Sequence, residues 1–142
     1  MSDKKPKRNA FLELTQLLQE YEVKRETFDV KELIDMREKI SLTLFYLSDP
    51  ISRAYAEYEE ASYNRKRNFS QLVSDLTGSV GEDGKKIGVT LANELARVKN
   101  EEFEKIEVES LRAKDRARIV LEATKQILNA ISSRMSNIKP NY

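Results

Sequence analysis

An all-α fold is predicted by three features of the sequence. Four glycines and three prolines in 142 residues leave few chain breaks, and the 35% of charged residues suits solvated helical faces better than sheets. Small and apolar residues also recur at 3/4 spacing through Phe103, Ile106, Ser110, Ala113, Ala117, Val120, Thr124, Ile127 and Ile131, continuing to Arg134 and Ile138. A row kept in register over this length packs a helix lengthwise against other helices. Beside it run Leu121, Leu128 and Met135, which widen the apolar face beyond a two-stranded seam and imply more than one neighbour. The expected architecture is a long helical hairpin with a coiled-coil-like C-terminal helix, preceded by short N-terminal helices.

Each element has its own signal. Residues 1–9 carry Lys4, Lys5, Lys7 and Arg8 with Pro6 and too little apolar area to offset ordering, so they are expected to form a disordered basic tail ahead of a single helical domain over 10–142. From Ala10 to about Glu22, Phe11, Leu14, Leu17, Leu18 and Tyr21 share one helical face. Thr27 or Asp29 is placed to cap a second helix, in which Val30, Leu33, Ile34, Arg37, Ile40, Leu44 and Leu47 recur until Ser48-Asp49-Pro50. Aspartate then proline marks a fresh helix start, because the N–H that proline lacks would have no partner there. The third helix is expected from Pro50 to about Leu76, with Tyr55, Tyr58, Ser62, Arg65, Phe69, Leu72 and Leu76 along its seam. Three of the four glycines fall between Thr77 and Gly84 and make a turn. A fourth helix follows from Val89 or Thr90 to about Lys139, closed by Pro140; about 49 residues would span roughly 70 Å.

Composition removes much chemistry. Cysteine and histidine are both absent, which excludes disulfides, structural zinc, thiolate nucleophiles and histidine bases. Gly84-Lys85 fails as a phosphate loop, because Ser79 stands where the first glycine belongs and Lys86 where Ser or Thr belongs. Nor does Glu82-Asp83-Gly84 have the alternating carboxylates of a calcium loop. The carboxylates at Glu57, Glu59 and Glu60 and at Glu101 to Glu109 face no partner that would tune one as acid and another as base. No enzyme, metal or cofactor is expected. The chain has no apolar run of membrane-spanning length and no secretory leader, so a cytoplasmic protein without membrane contact is expected.

Positive charge is local, although the net charge is only +1. In Ala61-Ser62-Tyr63-Asn64-Arg65-Lys66-Arg67-Asn68-Phe69, three cations sit between aromatic residues, with Tyr55 and Tyr58 upstream. Cations attract phosphates and rings stack on bases, which is how single strands are held without sequence readout. The candidate nucleic-acid residues are Tyr58, Tyr63, Arg65, Lys66 and Arg67, joined by Arg112, Lys114, Arg116 and Arg118 on the last helix. Weighed against this is an ordinary helix whose aromatics face inward and whose cations are solvated. Glu101, Glu102, Glu104, Glu107 and Glu109 precede the basic stretch, an order that suits pairing between helices as well as pairs within one helix.

Tyr63-x-x-Lys66, the break at Thr77-Gly78, the resumed charged helix and Ile127-Leu128-Asn129-Ala130-Ile131-Ser132-Ser133-Arg134 together resemble the UvsY-like phage recombination mediators. Over Leu128–Arg134 the chain follows that family's pattern with Asn129 in place of aspartate, and the likeness extends over about Phe45 to Ile138. It implies a helical homo-oligomer, often a ring, in the cytoplasm of an infected bacterium. Such an oligomer binds single-stranded DNA, contacts the strand-exchange recombinase and the single-strand binding protein, and helps the first replace the second. Assembly would run through Phe103, Ile106, Ala113, Ala117, Val120, Leu121, Ile127, Leu128, Ile131, Met135 and Ile138. A ring multiplies weak sites by avidity, so one subunit needs no strong motif. The alternative is a protein-only interaction module, such as a phage inhibitor of a host defence complex or a virion scaffold component.

Overall fold

The computed structural model describes residues 9–138; the basic cluster Lys4 to Arg8 and the expected helix end at Lys139-Pro140 lie outside the described residues. It is all-α, with helices α1 (Ala10–Lys24), α2 (Val30–Tyr46), α3 (Ser48–Leu76), α4 (Val89–Lys99) and α5 (Glu101–Asn137). Asn9 caps α1, its Oδ1 accepting from the Leu12 N–H at 3.1 Å. Asp29 opens α2 with a capping box: its carboxylate accepts from the Glu32 N–H at 2.8 Å while Glu32 accepts from the Asp29 N–H at 3.4 Å. Thr27 has another task, donating its hydroxyl to the Lys24 carbonyl at the end of α1. The expected break near Ser48 is a single residue, Leu47, after which α3 begins two residues ahead of Pro50. Proline is accommodated there because the first turn of a helix has no acceptors for its N–H groups.

After α3, Gly78 and Gly84 adopt positive φ of 82° and 76°, which side chains with a Cβ resist. An isolated antiparallel bridge joins Val80 to Lys86, and the Ile87 N–H donates to the Ser79 carbonyl at 2.7 Å, so the connector is a small closed loop pinned by the buried Ile87. The long fourth helix expected from Val89 to Lys139 is two helices. Asn100 leaves helical geometry at φ −93° and ψ 3°, ending α4 and starting α5. From there α5 runs through Ser110 without interruption.

The chain divides into two compact units. One takes the residues up to Ile51 together with those from Ala117 onward. Its core is written in sevens: Leu14 and Tyr21 from α1, Leu33 and Ile40 with Met36 and Thr43 from α2, Leu47 at the break that follows, and Ala117, Thr124 and Ile131 from α5, all buried. The two threonine hydroxyls in this core are satisfied locally, Thr43 donating to the Lys39 carbonyl at 2.8 Å and Thr124 to the Val120 carbonyl at 2.7 Å. Ala117 and Ile131, which the sequence assigns to contact between copies, thus face the chain's own core. They are closed to a second copy while this unit is folded, because their surface is already covered.

The other unit is Ser52–Arg116. Ala61, Ala92 and Ala96 are buried in it beside Ile87 and Asn100, and the small alanine side chains let helices approach closely. Within this unit α3 and the first part of α5 run antiparallel: Asn68 meets Asn100, Arg65 meets Glu107, and Tyr58 meets Lys114.

Candidate nucleic-acid interface

The basic-aromatic segment of α3 is sorted by helical geometry into an inner and an outer set. At about 100° per residue, Tyr55, Tyr58, Ser62, Arg65 and Phe69 share one face, while Tyr63 and Arg67 turn away from it and Lys66 flanks it, exposed. On the inner face Arg65 donates through Nε to Glu107 Oε2 at 2.7 Å, with both side chains mostly shielded from water. A charge-assisted bond of that length holds the guanidinium against α5. Tyr55 and Tyr58 lie half-buried beneath the Lys114 ammonium, which sits 5.1 Å and 4.7 Å from their ring centroids. Such stacking holds the two helices together and occupies the face that Tyr58 and Lys114 would offer a strand.

Asn100 ties this arrangement together. Fully buried, it donates through Nδ2 to the Arg65 carbonyl at 3.2 Å and accepts through Oδ1 from Asn68 Nδ2 at 2.7 Å. Its own carbonyl accepts from the Glu104 N–H at 3.1 Å, the first turn of α5. One side chain therefore fixes both the α4–α5 junction and its register against α3.

On the outer face Tyr63 is 62% exposed, with Lys66 and Arg67 exposed one turn further on. Glu59 and Glu60 stand one turn before it, so the positive field is confined to one side of the ring. The basic stretch of α5 is not one patch. Arg112 and Arg116 are four residues apart and share an exposed face, whereas Lys114, between them, points to the tyrosines. Arg118 belongs to the other unit and lies 3.4 Å from Glu122.

The residues proposed for assembly are also divided. Ala113, Val120, Leu121, Ile127, Leu128 and Met135 are partly covered, and Phe103, Ile106 and Ile138 are exposed. On the opposite side of α5, Val108 and Leu111 expose 46% and 38% of their surface, a pair that the row of small residues drew attention away from.

Sequence reasoning gave no role to Asn100, Asn64, Asn68 or Gln71, and for Glu107 it allowed pairing between helices without naming Arg65 as the partner. Asn100 carried a signal, since an asparagine followed by Glu101 and Glu102 is a helix-start pattern. Asn64, Asn68 and Gln71 are spaced 4 and 3 and share a face with Arg67. Comparison with models of known families, with curated proteins and with solved structures yields no match.

Proposed function

We propose that this chain is a non-enzymatic helical protein that binds single-stranded DNA and acts as a recombination mediator, loading a recombinase where a single-strand binding protein had been. The observation that carries the reading is the outer face of α3, where an exposed tyrosine stands one turn from two exposed cations. A base stacked on Tyr63 leaves its neighbouring phosphates within reach of Lys66 and Arg67, the combination that holds single strands without regard to sequence. Arg112 and Arg116 supply a second, weaker cationic face. The mediator role rests on the resemblance of Leu128–Arg134 and its flanks to the UvsY-like family. Self-association is part of the same proposal. With Ala117, Thr124 and Ile131 buried inside the chain, the exposed apolar residues Val108 and Leu111 on α5 are the better candidates for contact between copies.

Fluorescence anisotropy with an unstructured labelled strand at near-physiological salt tests the reading. The wild-type chain binds, and Tyr63→Ala weakens it by about five- to 150-fold, the range expected for one lost stacked base. Absence of binding at that salt would end the DNA reading. It would favour instead a protein-interaction module using Leu42, Phe45 and Tyr46, which are half or more exposed and cluster on the outer face of α2.

A further inference from the structure

The Ser52–Arg116 unit contains a recess that the basic-aromatic reading does not use. It is lined by Asn64, Arg67, Asn68, Gln71 and Phe103, at the edge where the outer side of α3 meets the first turn of α5. We infer that this recess seats one unpaired nucleobase of the bound strand, stacked on Phe103 and hydrogen-bonded by the carboxamides. The inference rests on the single-strand reading proposed above and names where a base, as distinct from the backbone, is held.

The lining is specific in kind: three carboxamides, one guanidinium, one aromatic ring and no carboxylate. A carboxamide offers a donor and an acceptor side by side, which matches the edges of bases that are splayed out of a stack. Two of the three are held in place by the chain. Asn68 gives one N–H to Asn100, itself buried and anchored to the Arg65 carbonyl, and retains its second N–H and its Oδ1. Gln71 donates to Asp75 Oδ1 at 2.9 Å and retains its Oε1 as acceptor. Asn64 makes no hydrogen bond among the described residues, although its side chain is partly covered. Phe103 leaves 36% of its surface open beside them.

Size and charge narrow the occupant further. The recess encloses about 250 Å³ and is open to solvent, below the ~300–1,000 Å³ of sites that enclose a drug-sized ligand, so one ring system is the scale that fits. A free phosphate is disfavoured, because Glu101, Glu102 and Glu104 surround Phe103 in the acidic first turn of α5. A neutral base tolerates those carboxylates, while its phosphates are drawn to Arg67 and Lys66 on the other side. The carboxamides that support this inference lie at helical spacing on α3, and Phe103 is brought to them only by the antiparallel pairing of α3 with α5.

The test compares two strands of about 20 nucleotides, longer than the ~4–16 that one module covers. One contains only A and C, so it cannot pair with itself; the other is abasic, with the same number of phosphates. The full-length wild-type chain is expected to bind the base-bearing strand at least about 25-fold more tightly than the abasic one, from two stacked bases at about fivefold or more each. Phe103→Ala and Asn64→Ala should each shrink that preference by about threefold or more, down towards the share that Tyr63 supplies, and leave abasic binding unchanged, whereas Lys66→Ala weakens both strands alike. Asn64 makes no hydrogen bond among the described residues, so Asn64→Ala decides the matter if Phe103→Ala lowers the unfolding midpoint. Full preference retained in Asn64→Ala overturns the recess and leaves the proposed function standing; equal wild-type binding of the two strands removes the base stacked on Tyr63 as well and overturns both. Failure to bind either strand overturns both.

Discussion

Asn100 shows how one polar side chain decides a local structure that a pattern of apolar residues does not. Buried with all of its side-chain bonds directed to α3, it ends α4 and aligns α5 without any glycine or proline. Asn100→Ala removes the bond to Asn68 and leaves the Arg65 carbonyl without its side-chain donor, so it is expected to lower stability by about 1–3 kcal/mol, read from urea denaturation. The start of α5 was partly legible, since Asn followed by a run of glutamates is a capping signal. The pairing of Arg65 with Glu107 was not, because nearby partners within each helix satisfy the same charges on paper. Only the register of α3 against α5, set by side chains 42 residues apart in sequence, chooses among them. For the same reason the three consecutive cations Arg65, Lys66 and Arg67 looked alike in sequence. In the fold the first is an internal clamp and the other two face water.

At the scale of helices, heptad spacing marked a face of α5 that is packed at Ala117, Thr124 and Ile131 but exposed at Phe103, Ile106 and Ile138, and the spacing itself does not name the partner. Ala117, Thr124 and Ile131 recur every seven residues, as a seam between copies would. They are buried inside the chain, in one unit with α1 and α2, where Leu33, Ile40 and, at the break after α2, Leu47 repeat at the same interval. A periodic face states that something covers it; the identity of the cover depends on topology, which is not local. The two uses separate cleanly by mutation. Ile131→Ala opens a cavity in the core and is expected to cost about 2–5 kcal/mol, seen as a lower unfolding midpoint. Leu111→Glu changes an exposed side chain and is expected to leave the midpoint unchanged while reducing the native mass of any self-associated particle. A particle whose mass survives Leu111→Glu does not use that face.

For the molecule as a whole, the helical class and the places where α1, α2 and α3 stop were readable from composition, capping residues and the glycine loop, whereas the stop of α4 at Asn100 was not. The division into two compact units was not, since α3 and α5 each contribute residues to both and no linker marks a boundary. Among the described residues no helix is long and apolar enough to cross a membrane. Net charge near zero makes any strand binding depend on how cations are grouped, and among the described residues the grouping that places exposed cations beside an exposed ring on α3 is Tyr63 with Lys66 and Arg67. The most direct measurement is the slope of log affinity against log salt for a single strand, taken for the wild-type chain and for Lys66→Ala with Arg67→Ala. Each phosphate contact to a single strand contributes a slope of about −0.7, so the double variant is expected to bind more weakly with a slope shallower by about 1.4. An unchanged slope and affinity in that variant would contradict the account.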